Sequence, residues 1–282
     1  MLGFGPMASA PNGRSWRLGV VSLMALAPLL GFAAEESWPD GREVAQRINA
    51  RNSGAAVSRT LLMELTEPRG QLLHRKLRSL WKLHAGGRHV VFFVLAPLDM
   101  KGRAYLANDY FAEGKEDDYW FYDPVAARTR RIAMSQRRNR FLGSDVTVQD
   151  IMQENRADLH GFTWKTIGRE EVDGHDCYVV EQKPVSEKVA KQTGYGKIVA
   201  FVDRELWLTR KREYSTPELK QLKTFENKDI RQVSGIWAAH RIEITNHLTG
   251  HRTVLQLKEL DYESEVDDGI FTIRALEKGP PR

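Results

Sequence analysis

Cysteine is almost absent. Cys177 stands alone in 282 residues, so no internal disulfide can form. An oxidising compartment is tolerated without being exploited. Cys177 alternates with Val179 on an expected strand and reads as a small buried hydrophobe rather than a nucleophile. No apolar run reaches the ~20 residues a membrane-spanning helix needs. The candidate run, residues 18–32, is interrupted by Pro28. Nucleophile elbows, phosphate loops, H-E-x-x-H and dinucleotide fingerprints are all missing, which removes the enzyme classes that carry a local signature. A net charge of +5 is too small to imply nucleic acid, and no aromatic-basic RNA signature accompanies it. It suits an anionic membrane surface or an acidic partner.

What is present begins with a leader. Arg14 and Arg17 precede the apolar run, Gly31 and Ala33 stand at the −3 and −1 positions of a small-residue site, and Glu35 and Glu36 follow. This pattern predicts a secretory signal peptide over 1–33, cleaved after Ala33, with 34–282 as one domain and the periplasm as destination. The alternative is an uncleaved N-terminal anchor. No Cys follows the run, so a lipid-anchored mature form is not expected.

Beyond the leader, Val44 and Ile48 lie four apart, which predicts a short amphipathic helix over 39–51. The period then changes to two. Strands are expected at 56–65, 72–83, 88–95, 103–107, 118–122 and 128–134. A loop with a short helix from about Thr147 to Gln153 follows, with Asp145 as a cap. Strands resume at 162–170, 175–183, 196–203, 206–214, 219–227, 236–246 and 252–260. Asp173-Gly174 is a strong hairpin turn. The run from Val90 to Leu95 is apolar on both faces, so the strand there must be covered on both. This pattern predicts a mainly β fold: a curved antiparallel sheet or open, incomplete barrel with a few helices over its concave face.

Chemistry-bearing clusters are few. His247 and His251 flank a turn rather than share a helix face, which argues against a metal site. Asp117 and Asp118 are adjacent on a strand and face opposite ways, which spoils them as a catalytic pair. Neither a catalytic residue nor a metal or cofactor site is assigned. Arg128, Arg130, Arg131, Arg137, Arg138 and Arg140 form a dense basic segment, suited to phosphate headgroups or an acidic partner. A solvated charged face is the alternative.

The order of motifs resembles the periplasmic outer-membrane lipoprotein-sorting family, in its broad Lol-like branch associated with RND-type exporters. The resemblance rests on residues 97–102 (PLDMKG), 104–106 (AYL), 118–122 (DYWFY), 130–132 (RRI), 141–145 (FLGSD), Ile236-Trp237 and residues 271–274 (FTIR). It departs where Val146 replaces an aromatic residue and Ala238 a proline. It implies an incomplete antiparallel β-barrel closed on one side by helices, an apolar cavity and a soluble carrier for lipid or lipoprotein acyl chains. An inner-membrane exporter is the implied partner. Leu77, Trp81, Phe93, Leu95, Trp120, Ile242, Ile244, Leu255 and Leu257 are the expected lining, each with ordinary core packing as its alternative. A cargo-free adaptor docking through residues 128–140 and an envelope hydrolase are the competing readings. A hydrolase would need a titratable cluster in the cavity.

Overall fold

The computed structural model describes residues 38–112, 114–154 and 156–280. The leader and the cleavage after Ala33 lie outside the described residues. The chain from Trp38 onward opens with helix α1 (Gly41–Ala50) and then runs into strands β1 (Ala56–Thr66), β2 (Leu72–His84), β3 (Gly87–Ala96), β4 (Ala104–Tyr110), β5 (Asp118–Asp123) and β6 (Arg128–Arg131). Two short 3₁₀ turns and helix α2 (Val148–Met152) cross to β7 (Phe162–Val172) and β8 (His175–Pro184). Helix α3 (Glu187–Thr193) precedes β9 (Lys197–Asp203), β10 (Thr209–Ser215), β11 (Gln221–Val233), β12 (Ile236–Asn246) and β13 (Arg252–Asp261). A 3₁₀ turn and α4 (Ile273–Lys278) end the described chain.

All 13 strands form one antiparallel sheet, ordered β6-β5-β4-β3-β2-β1-β13-β12-β11-β10-β9-β8-β7. The first and last strands pair at its middle, with Leu61 opposite Leu257. The free edges are β6 and β7, so the sheet curves without closing. Local chemistry sets the hairpins. Asp173 and Gly174 adopt φ of 52° and 77°, the left-handed pair a two-residue I′ turn requires, and Ser234-Gly235 repeats the device.

Period-two burial tells the faces apart. On the concave face Val57, Leu61 and Met63 of β1 lie beside Leu77 and Trp81 of β2, Val90 and Phe92 of β3, and Leu255 and Leu257 of β13. Helix α2 and the preceding 3₁₀ turns cover this half, inserting Phe141, Val146, Val148, Ile151 and Met152. Helix α1 covers the other half, laying Val44, Ala45 and Ile48 against Val180, Ala200 and Val202. Burying its Val and Ile side chains stabilises the helix by roughly 1.5–3 kcal/mol each.

The convex side of β2–β5 has its own cover. Leu80, Val91, Phe93, Ala104 and Leu106 are buried under Val266, Phe271 and Leu276, which come from the C-terminal turns and α4. The two apolar faces of β3 are thus both sheathed. Helices α1 and α2 cover the concave face as expected, and α4 adds a cover on the convex one. Phe93 and Trp120 were expected to line a concave cavity. They sit on the convex face, because Phe93 falls one residue from Phe92 and Trp120 one residue from Phe121, and successive side chains alternate. Leu95 lies at the irregular register beside Lys76 and Leu77, half-buried and away from both cavities described below. Cys177 is fully buried with Val179 and Phe201, and burial pushes its thiol up to about 11.

Candidate ligand cavity

The concave face is not filled to the end. Helix α1 docks on β7 at close range: a Cβ on Gly41 would meet the backbone nitrogen of Lys165 at 2.3 Å, so only glycine permits the approach. The chain then spans from the helix to β1 through residues 51–55, passing over the sheet as a strap. Beneath the strap is a cavity of about 530 Å³. Its apolar wall includes Trp81, Ile236, Trp237, Leu208, Phe111 and Tyr262. A smaller space of about 110 Å³ adjoins it beneath α2, bounded by Leu61, Ile151, Phe225, Ile242, Leu255 and Leu257. Ile48, Arg156 and Ala157 belong to the walls of both.

The structure distributes the expected lining residues accordingly. Trp81 faces the larger cavity, and Ile242, Leu255 and Leu257 face the smaller one. Leu77 and Ile244 share the concave face but are packed solid under α2. The cover over this region is held by charge as well as by apolar contact. Thr147, rather than the expected Asp145, caps α2, and its reciprocal bonds with Asp150 form a capping box. Asp150 also accepts from Lys223 at 2.9 Å and from the Tyr195 hydroxyl at 2.7 Å. Asp145 instead lies buried as a node, accepting from His251, from the Thr253 hydroxyl at 2.8 Å and from Asn246 at 3.1 Å. His251 is thereby occupied in packing, while His247 is exposed beside Thr224. Asp117 and Asp118 do diverge: Asp117 accepts from Gln153 and the Tyr110 amide, whereas Asp118 pairs with Arg131.

Arginines in the apolar face were missed by sequence reasoning. Arg59 sits between Val57 and Leu61, and Arg88 precedes Val90 and Phe92, each at a position whose parity points inward. A cation breaking an apolar alternation was the available signal. Arg59 makes a bidentate pair with Glu154 behind α2. Arg88 donates to the carbonyls of Met152 and Glu154 and to Asp109, which Arg156 also engages. Burial would raise Asp150 and Glu154, but Lys223 and Arg59 outweigh it and hold both carboxyls below their ordinary range. Neither is poised to donate a proton near neutral pH. Burial pushes Asp109 upward against the pull of Arg88 and Arg156. Asp150 and Glu154 line the smaller cavity, and these two carboxylates, with Asp109 outside both linings, are spent on tethering the cover.

The basic segment does not act as one surface. Arg137 is buried, donating to the Asp117 carbonyl with its guanidinium over the Tyr119 ring. Arg140 reaches back to the Ser144 carbonyl, and Arg138 to the Lys191 carbonyl. Arg138 and Arg140 are nonetheless exposed, as are Arg128, Arg130 and Arg131 along the free edge β6.

Comparison with known proteins gives a consistent picture. A family model described only as an uncharacterized protein matches residues 86–278. No curated protein matches. Among solved structures, an outer membrane lipoprotein-sorting protein domain from Vibrio parahaemolyticus is 26% identical, with a TM-score of 0.76, covering 84% of this chain and 98% of that one. A DUF1329 family protein from Desulfovibrio piger is 25% identical, with a TM-score of 0.77 and coverage of 84% and 97%. A LolA superfamily protein from Nitrosomonas europaea shares the fold at 20% identity, with a TM-score of 0.65 and coverage of 84% and 100%.

Proposed function

We propose that this chain, which belongs to the family whose model matches residues 86–278 and is similar to an outer membrane lipoprotein-sorting domain, is a non-enzymatic carrier that takes an acyl chain into the cavity under the strap. The observation that carries this reading is the space of about 530 Å³ left open beside Trp81, Trp237 and Tyr262. That volume lies within the ~300–1,000 Å³ typical of small-molecule sites, and such sites are lined mainly by apolar and aromatic side chains. Natural interiors leave few voids larger than a water. An opening of this size under aromatic walls is suited to an apolar guest. Burying acyl chain contributes about 0.8 kcal/mol per methylene, so affinity rises with chain length until the space is filled.

The reading places the mature protein in the periplasm, on the leader features of residues 1–33. It assigns the exposed Arg128, Arg130 and Arg131 of edge β6 to anionic headgroups or an exporter of the RND type. Arg137 leaves that set because it is buried. Native mass spectrometry after gentle extraction tests the carrier: adducts of lipid mass are expected. A preparation that is always empty and takes up no fluorescent fatty acid would remove the reading. Reversing the charge of Arg128, Arg130 and Arg131 separates the two roles: it is expected to weaken membrane or exporter contact and to leave lipid uptake intact.

A further inference from the structure

We propose that the guest of the larger cavity is an anionic amphiphile whose carboxylate or phosphate head is held by Arg51 at the strap. This rests on the carrier reading and adds the chemistry of the head. Four guanidiniums, those of Arg51, Arg59, Arg88 and Arg156, line this one cavity, and no carboxylate lines it among the described residues. The nearest acids are already engaged: Glu154 pairs with Arg59, and Asp109 with Arg88 and Arg156. Three of the four cations thus share two carboxylates.

Arg51 is the cation left over. It donates from Nη1 to the Trp237 carbonyl at 2.8 Å and has no carboxylate partner among the described residues. Its Nε is buried and unbonded, as are the Nε atoms of Arg59 and Arg88. Arg59 and Arg88 are themselves more than nine-tenths buried in the cavity wall. Burial lowers the Arg51 pKa, the mark of a desolvated cation without a counter-charge. A guanidinium keeps its charge regardless, because its ordinary pKa exceeds ~12. An oxyanion placed beside Arg51 would balance the positive charge that no carboxylate of this cavity wall balances. The apolar side of the same cavity, Trp81, Ile236, Leu208 and Tyr262, is where the tail would run. A charged lipid head and a free oxyanion share this recognition chemistry, so the test separates them.

The experiment uses the mature chain loaded with a polyene fatty acid whose fluorescence rises on burial. It is then displaced by palmitate, by uncharged hexadecanol or by inorganic phosphate. Wild type is expected to prefer palmitate over hexadecanol by about tenfold or more, as a charge-assisted hydrogen bond supplies. Arg51→Gln is expected to bring the two within about twofold, and Arg51→Lys to retain part of the preference. Equal wild-type affinity for palmitate and hexadecanol would overturn the head-group inference and leave the carrier standing. Displacement by phosphate alone, at the concentration where palmitate acts, would assign the site to a free oxyanion and overturn the amphiphile. Failure of the probe and both amphiphiles to bind at all would remove the carrier reading, and the head-group inference with it. The wild-type preference needs no variant, so a poorly folding Arg51→Gln would not shelter the proposal.

Discussion

Filling the larger cavity from its own wall should shorten the acyl chain the protein accepts. Ala239 lines that space and packs against the main apolar cluster, so Ala239→Phe would project a ring into it. The ring adds about six carbon atoms, and a guest that must withdraw roughly four methylenes at ~0.8 kcal/mol each loses about 3 kcal/mol. That corresponds to roughly two-hundredfold in Kd for a long chain and little change for a short one. The assay is displacement of a fluorescent fatty acid by a homologous series of saturated acids. In wild type each added methylene should tighten binding about fourfold until the cavity of about 530 Å³ is full. The variant should reach its plateau several carbons earlier. Circular dichroism would confirm that it is folded. A wild-type affinity that ignores chain length, or a folded variant with an unchanged plateau, would refute the idea that this cavity measures the guest.

Removing the convex cover should cost stability without touching the concave face. Leu276 is fully buried on α4, and Leu276→Ala should destabilise by about 2–5 kcal/mol in urea titration while fatty-acid affinity of the folded protein is unchanged. Phe93→Ala should behave the same way, losing about 3–5 kcal/mol, because its ring packs under that cover and not in the cavity. Acid should loosen the cover over the concave face. Asp150 and Glu154 titrate lower when folded than unfolded, so their stabilisation is complete above the unfolded carboxylate value near ~4 and is lost as pH falls through the folded values. Thermal melts across that window should show a slope that Asp150→Asn reduces; an unchanged slope would count against this pairing. Cys177 should resist alkylation in the native protein at neutral pH and react once unfolded, since burial both hides the thiol and raises it to about 11.

The strands were largely legible in sequence, because period-two alternation survives without tertiary help: residues 236–246 match β12 end to end, and Asp173-Gly174 supplies the turn it announces. The doubly apolar run in β3 announced two covers and therefore two layers around one sheet. The helices were less legible. Helices α3 and α4 span seven and six residues, too short for a clear 3.6-residue period. Without α4 in view, nothing said which face of β3 it would sheathe, so Phe93 and Trp120 were expected on the wrong side. A period of two sorts residues into two sets but does not name the concave one. The arginines show the same boundary. The density of Arg in 128–140 was plain, yet only folding buried Arg137 against the Tyr119 ring and left Arg128 in solvent. Conversely, Arg51, Arg59, Arg88 and Arg156 are scattered along the chain, and only curvature of the sheet gathers them around one space. Sequence alone determined a mainly β chain of alternating strands. The pairing of β1 with β13, the choice of concave face and the charge of the cavity were decided by tertiary structure, because each depends on contacts between residues far apart in the chain.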